Sequence, residues 1–582
     1  MKATKLIPGA VARPLRLTWA PALVALAVFT GTAGAASSGV PAVVKQGDGP
    51  DLVLYNGQIS TVDVDDSTVE AIAIRDGKIL ATGRSGPVRA LAKEGTQVIN
   101  LNGRRVLPGL IDATLHGIRT GYHCFTRSVR HDTTFSRSRA LAEYARVAAQ
   151  NPPGTWLFTT TGSWQVVQLD VPGMFTKAEL DAVAPNHPVF VQAAGFSGVQ
   201  VNTRALQALG LGPGSPGVVL DATGQPTGQL LAQASGTASR AIGTQLQQMS
   251  TAEQADCLAA FMREQNRRGL TAWDDAGGND PFDPAGSGIT VLRDNHGYQA
   301  VNRLRREGRM TTRVTFNLSC FGPDAGIDCV RAHTFNALGR VGDDMLRLRG
   351  VGEDVMTLTG GIYADPEYAE ILRHLATNDW PFQHHASAPI TQLSMVESWE
   401  RANQVRPIAG LRWFMLHPGQ GPADPTQEIF DRLRALGAGI VLTNSAARGG
   451  TSHPPYRRAY ESGTQTCLGT DALNASTYAP FVNIWYTVSG KTYIPGQQGV
   501  VPEQRLTRLE ALHMATRKCG WFMDLEHKIG SLEVGKYADL IVLSADYFTV
   551  PEDDIRMLTS VLTIVNGRIV YADSEYAGLD HP

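Results

Sequence analysis

Charge is scarce in this sequence. Acidic and basic side chains make up 18% of it, against about 25% in an ordinary globular protein. Lys and Arg number 52 and Asp and Glu 54, for a net charge of −2. That balance supplies no basic field for DNA or RNA, and no polybasic cluster marks a membrane-binding surface. Cysteine is sparse too: Cys124, Cys257, Cys320, Cys329, Cys467 and Cys519. Their spacing makes no Cys-x-x-Cys pair and no zinc ribbon, and only Cys320 and Cys329 lie close. A bridge between those two and a pair of isolated buried thiols fit the sequence equally well. No short internal repeat is present.

Apolar residues, by contrast, reach 43% over 582 residues. That excludes a disordered or collagen-like chain and exceeds the needs of one ordinary core. A large barrel with a smaller satellite fits the length.

The first 36 residues read as a secretory signal. Lys2, Lys5, Arg13 and Arg16 precede the apolar run Leu17–Phe29, and Ala33-Gly34-Ala35 supplies small residues for cleavage. The run is short of the ~20 residues that span a membrane. The expectation is therefore an exported protein, secreted or periplasmic, with no lasting membrane association. A linker over 37–49 follows.

Strand-like runs then begin. Asp51–Tyr55 and Gln58–Val62 flank Asn56-Gly57, and Ala71–Arg75 and Lys78–Thr82 flank Asp76-Gly77, both read as hairpins. Tyr537–Leu543, Ser560–Val565, Asn566-Gly567 and Arg568–Tyr571 repeat that vocabulary at the far end. Each end alone has little core to bury, so the two are expected to form one composite β-sandwich, from 50–107 and 531–582. The middle, 108–530, alternates apolar runs (among them Val106–Ile111, Trp156–Thr160, Pro188–Ala193 and Gly439–Thr443) with amphipathic stretches such as Thr251–Arg268 and Pro366–Asn378. This βα alternation predicts an α/β fold: a distorted (β/α)8 barrel, with a doubly wound sheet as the alternative.

Barrel enzymes carry their chemistry at the C-terminal ends of strands. His116, Glu353, His385, His417 and Asp471 each follow a strand-like run. Imidazoles and carboxylates in such places suit Zn²⁺, with Fe²⁺ or Mn²⁺ as alternatives. His384, next to His385, would point the other way in an extended stretch and reads as structural.

The segment VLPGLIDATLH around Asp112 resembles the first strand of the metal-dependent amidohydrolase superfamily, whose pattern is PG-h-h-D-x-H-x-H. IGSLEVGKYADLIVL and VLTIVNGRIVY are similar to that superfamily's C-terminal return into its sandwich, and RLTRLEALHMATRKCGWFM to the helix after its last barrel strand. The resemblance runs from about Asp51 to Ala572 and points to the branch typified by N-substituted formamide deformylase. It implies hydrolysis of an amide, formamide or cyclic amide C–N bond by a metal-activated water, with Asp471 as general base and acid and His417 as a second catalytic group. The implied metal ligands are His116, Glu353 and Asp471 for one ion, and Glu353, His385 and His417 for the other. Trp164 stands where this branch has a Gly-Trp segment over the pocket, an implied substrate contact; His123, seven positions past His116, and Thr114 are further candidate contacts, while Asp274 and Asp275 read as support for the site or a turn, and Tyr478 and Trp485 as its rim or as core.

Thr114 departs from the pattern, standing where the first imidazole of the His-x-His pair belongs. One firmly held metal, with the second weak or absent, is the consequence expected. The departure leaves two alternatives open: changed chemistry on the same scaffold (deamination, ester cleavage or a non-hydrolytic step), or a metal-free binding protein. The partner expected is a small-molecule substrate rather than nucleic acid, with monomer and homodimer both open.

Overall fold

A computed structural model describes residues 49–580, apart from 123, 125–126, 160–163, 165, 193–198, 278–295, 321–324, 336, 357–364, 387–388, 419–424, 444–453 and 473–475. The proposed signal segment and His123 lie outside the described residues.

The two chain ends meet in one sheet. Its order is Arg568–Ala572, Ser560–Val565, Leu540–Leu543, Arg105–Pro108, Gln58–Ser60 and Thr68–Val69. A second sheet joins Lys78–Gly83, Ala71–Arg75, Leu52–Tyr55 and Gln97–Asn100. One apolar cluster draws on both sheets, including Leu54, Ile72 and Ile74 from one and Leu540, Val542 and Ile564 from the other. Burial of each such side chain contributes about 1.5–3 kcal/mol.

Asp76-Gly77 and Asn566-Gly567 do close hairpins, with Arg75 opposite Lys78 and Val565 opposite Arg568. Asn56-Gly57 does not. Leu52–Tyr55 pairs with Ala71–Arg75 and Gln97–Asn100, whereas Gln58–Ser60 pairs with Thr68–Val69 and Arg105–Pro108. The dipeptide instead passes the chain from one sheet to the other, with Asn56 at φ 60°. Gly57 is needed for close approach, since a Cβ there would lie 2.5 Å from Leu101 Cδ1.

Eight parallel strands position the site: β1 (Leu110–Leu115), β2 (Leu270–Asp275), β3 (Arg313–Leu318), β4 (Leu346–Val351), β5 (Gln383–His385), β6 (Phe414–Leu416), β7 (Gly439–Thr443) and β8 (Gln465–Gly469). They form two sheets, β1-β2-β3-β4 and β5-β6-β7-β8, the first edged by the short antiparallel strand Val341–Gly342. Among the described residues no continuous ladder closes all eight into a ring; single parallel bridges, Val351 with Phe382 and Leu115 with Ala472, span the two gaps. β1, β2 and β7 are buried at every residue, as expected of parallel strands covered on both faces.

The apolar run Val106–Ile111 is not one strand, as the sequence suggested. Gly109 divides it, so Arg105–Pro108 joins the terminal sheet and β1 joins the parallel one. A Cβ at Gly109 would fall 2.0 Å from Thr271 Oγ1, so the chain can change sheets there only without a side chain. A second correction concerns Trp156–Thr160 and Pro188–Ala193. Their strands, Leu157–Thr159 and Val189–Gln192, belong to a separate sheet with Val199–Val201, Pro226–Leu230 and Val218–Leu220.

Helices pack between the strands. Thr251–Arg267 starts with a capping box of Ser250 and Glu253, and Pro366–Thr377 with an Asp365 cap and Pro at its first turn. Arg313 on β3 makes a buried two-pronged ion pair with Asp539, at 2.6 and 3.0 Å, tying the parallel sheet to the C-terminal strands. All six cysteines are paired, Cys124–Cys257, Cys320–Cys329 and Cys467–Cys519.

Candidate active site

Strand ends bring five side chains together. His116 follows β1, Glu353 lies two residues past β4, His385 ends β5, His417 follows β6, and Asp471 lies two residues past β8. His417 (φ 65°) and Asp471 (φ 50°) adopt left-handed backbone, at about 1–3 kcal/mol each for a residue with a Cβ. Neighbouring strands fix them there: the His417 N–H donates to Val441 O at 3.2 Å, and the Asp471 N–H to Thr114 O at 2.8 Å.

Glu353 sits at the centre. His116 Nε2 lies 3.0 Å from Glu353 Oε1 and 3.3 Å from Asp471 Oδ1. His417 Nε2 donates to Glu353 Oε2 at 2.9 Å, and the His385 and His417 rings are 4.7 Å apart. Two groups result, His116/Glu353/Asp471 and Glu353/His385/His417, each with ligand atoms within 4.8 Å of one another.

The site fits a metal ion. His116 Nδ1 is 3.0 Å from Gly277 O, so a proton there donates to the carbonyl and fixes the ring with Nε2 facing the two carboxylates. Among the described residues, buried His417 Nδ1 has no hydrogen-bond partner, and His116 Nε2 and Asp471 Oδ1 meet only ionisable groups of the same cluster. Buried polar atoms are normally paired, and a divalent cation shared by nitrogen and oxygen donors would satisfy all three.

Within the cluster, the carboxylates and imidazoles set one another's charge. Burial alone would raise the Glu353 carboxyl, but the facing His116 and His417 imidazoles hold it well below its ordinary value. Burial and Arg119 push His116 down, yet Glu353 and Asp471 overcome them and raise it to about 10. Burial, reinforced by His417, pushes His385 down to about 4, which keeps its imidazole neutral for ligation. His384 points away, as expected: its Nδ1 contacts Glu353 O at 2.6 Å and its ring packs on Tyr368 and Phe382.

Thr114 is fully buried beside the site, and its Oγ1 has no hydrogen-bond partner among the described residues. Its methyl packs toward Gly469, where a Cβ would lie 2.3 Å from it. Asp112 ties the ends of β1 and β8 together, accepting from the N–H groups of Thr114 and Thr470 and from the Thr470 hydroxyl.

The other sequence candidates make contacts of their own. Trp164 is 1% exposed, stacked on Phe175 at 5.1 Å in a cluster with Tyr144 and Val191. The Tyr478 hydroxyl donates to Glu264 and Trp485 Nε1 to Asp553, so both serve packing. Asp274 accepts from Thr315 and Asn317, and Asp275 from the N–H groups of Ile118 and Gly277.

Two residues of the site escaped the sequence reading. Asp354 is buried beside Glu353, and burial raises its carboxyl to about 8. Arg119 is buried on the short helix α1 (Gly117–Tyr122), three positions past His116, within electrostatic reach of Glu353, Asp275, Asp471 and Asp354. The one signal for Arg119 was a basic residue straight after a strand-end ligand.

Known proteins share this organisation. The amidohydrolase family pattern matches residues 97–571. N-substituted formamide deformylase of Arthrobacter pascens is 24% identical over 90% of this chain and 98% of its own. A metal-dependent hydrolase from Pyrococcus furiosus has a similar fold, with a TM-score of 0.58 and 19% identity over 86% of this chain and all of its own. So does the zinc complex of atrazine chlorohydrolase from Arthrobacter aurescens, with a TM-score of 0.50 and 15% identity over 90% and 95% of the two chains. Five converging strand-end side chains and a family match across most of the sequence lead to one assignment: this chain belongs to the amidohydrolase family.

Proposed function

We propose that the protein hydrolyses a non-peptide C–N bond in an amide, formamide or cyclic amide, using a divalent metal, Zn²⁺ first among the candidates. The observation that carries this reading is the pair of candidate ligand groups sharing Glu353, with His116 Nε2, His417 Nδ1 and Asp471 Oδ1 turned toward one another. The formamide specificity of the Arthrobacter pascens relative supports the substrate class.

Glu353, His385 and His417 would hold the more firmly bound ion, since they provide two imidazoles and a carboxylate. A divalent ion supplies Lewis acidity toward a carbonyl oxygen and makes water available as hydroxide near neutral pH. Asp471, with Oδ1 turned into the site, takes the proton of the attacking water. It returns that proton to the leaving nitrogen as the C–N bond breaks and the C–O bond stays. Polarising the carbonyl and stabilising the developing oxyanion fall to the ion's Lewis acidity, and would pass to the His417 imidazole only if His417 were not a ligand.

The wider architecture is read in the same way. The eight parallel strands, with bridges at their two gaps, make the distorted barrel over 108–530, and the two terminal sheets make the composite sandwich. Export by a cleaved leader is supported by the three disulfides, which persist in oxidising compartments. Thr114 favours a second reading, in which the same ligands serve a changed reaction or binding alone.

Metal analysis of native protein dialysed without chelator, alongside turnover of N-substituted formamides and cyclic amides, tests the proposal. About one ion per chain, lost in His385→Ala, with turnover reduced by several orders of magnitude in Asp471→Asn, is expected. No bound metal in the native protein, or full activity in Asp471→Asn, would overturn it.

A further inference from the structure

The loop after the helix Pro480–Ser489 encloses a cavity that shares no residue with the metal-ligand groups. Gly490 ends that helix in left-handed backbone, at φ 71°, and the chain comes back at Gly499, whose N–H donates to Gly490 O at 2.7 Å. A bridge between Lys491 and Gln498 closes the loop. Together with residues of the turn Glu552–Met557 it lines a space of about 460 Å³, a size that holds small organic molecules. Trp485, Lys491, Tyr493, Arg505, Asp553 and Arg556 are among its walls, and none of them belongs to either ligand group.

The charges in these walls do not balance. Lys491 and Asp553 answer one another: both carboxylate oxygens lie 2.8 Å from Lys491 Nζ, and one also accepts from Trp485 Nε1 at 3.2 Å. Arg505 and Arg556 have no such match. Among the described residues neither guanidinium makes an ion pair, and the Nε of each is buried without a hydrogen-bond acceptor. A guanidinium carries five N–H donors and accepts nothing, and buried donors are normally paired. Aromatic neighbours fix Arg556 without pairing it. Its Cζ lies 4.2 Å from the centre of the Phe135 ring and 4.8 Å from that of Trp485, which itself stacks on Tyr493 at 6.0 Å. Arg505 is fitted as closely, since a Cβ on Gly490 would fall 2.5 Å from its Nε. What both side chains lack is an oxygen lone pair.

We propose that this cavity is a binding site for a small organic oxyanion, a carboxylate or a phosphate, held by Arg505 and Arg556 and separate from the metal-ligand groups. The planar fork of a guanidinium matches two oxygens of either group, and hydrogen bonds between opposite charges are the strong ones. With Lys491 neutralised by Asp553, the surplus charge is that of the two arginines, which favours an anion over a neutral or zwitterionic guest. Aromatic walls keep water from one side of Arg556, so its attraction for an anion is screened less than at an open surface. The inference stands apart from the hydrolytic reading and holds for a chain with no turnover at all.

Isothermal titration of the full-length native protein with benzoate, with inorganic phosphate and with benzamide, the uncharged counterpart of benzoate, tests the proposal. Saturable binding of at least one anion in the millimolar range or tighter is expected, and none of benzamide. The anion that binds more tightly tells whether the site takes carboxylates or phosphates. Arg505→Gln and Arg556→Gln should each weaken that binding about tenfold or more. Asp553→Asn frees Lys491 and removes the one acid of the cavity, so it should tighten binding several-fold. Absence of saturable binding by both anions would overturn the proposal, and so would benzamide binding as well as benzoate. Anion affinity unchanged in both arginine variants would overturn it too, since that is how an anion held at the metal-ligand groups would behave. Should an arginine variant fail to fold, the gain in Asp553→Asn decides the matter, because a damaged fold cannot mimic tighter binding.

Discussion

His417 Nε2 meets Glu353 Oε2 at 2.9 Å, while the opposite oxygen of the same carboxylate lies 3.0 Å from His116. Glu353 is thus the one residue common to both ligand groups. Glu353→Gln should disable both, whereas His385→Ala should disable only the one expected to hold the firmly bound ion. The expected result for Glu353→Gln is loss of about nine-tenths or more of the bound metal, checked by elemental analysis with circular dichroism to confirm the fold.

The Arg313–Asp539 pair gives a prediction about stability alone. Both side chains are buried, and Asp539 also accepts from the Asn566 N–H at 2.8 Å. Asp539→Ala would strand the Arg313 charge in the interior, at a cost of about 3–5 kcal/mol. Chemical denaturation should show that loss, with metal content preserved in the fraction still folded.

His131 predicts a dependence on pH. It is fully buried among Tyr144, Trp164 and Phe175, and neither ring nitrogen has a hydrogen-bond partner among the described residues. Burial, reinforced by the neighbouring Arg130, pushes its imidazole down to about 3. The folded chain holds this ring neutral where the unfolded chain protonates it, so the unfolded state binds more protons between about pH 6.5 and 3. Stability is therefore full above about pH 6.5 and falls on acidification, by about 1.4 kcal/mol per pH unit from this group. Urea unfolding at pH 7.5 and pH 5 should show a smaller difference for His131→Phe than for the parent.

Cys124 and Cys257 close a loop 133 residues apart in sequence. Replacing both by Ser should destabilise the protein by about 2–4 kcal/mol, chiefly by freeing the unfolded chain. Mass spectrometry of non-reduced peptides checks the pairing, and thermal unfolding the cost.

Legibility in the sequence followed the distance over which each feature is determined. His116, Glu353, His385, His417 and Asp471 could be picked out because a polar residue after an apolar run is a local signal. Asp76-Gly77 and Asn566-Gly567 were equally local. Asn56-Gly57 offered the same signal but serves a sheet crossing, because the partners of the flanking strands lie elsewhere in the chain. Gly109 looked like an ordinary strand residue; only the approach of Thr271, 162 positions away in sequence, shows why the strand must break there. The disulfide partners of Cys124 and Cys467 were hidden for the same reason, and Arg119 is recognisable only once the carboxylates around it are in place.

The sheet shared by the two chain ends sets an order of events during synthesis. Arg105–Pro108 pairs with Leu540–Leu543, which in turn awaits Ser560–Val565 and Arg568–Ala572. Arg105–Pro108 can pair at once with Gln58–Ser60, but its other edge stays exposed until more than four hundred further residues have been made. Such long-range pairing folds slowly and leaves apolar edges open to association. The nascent chain would be a natural client for a holding chaperone, and a ribosome stalled before Leu540 would release a polypeptide with half a sheet.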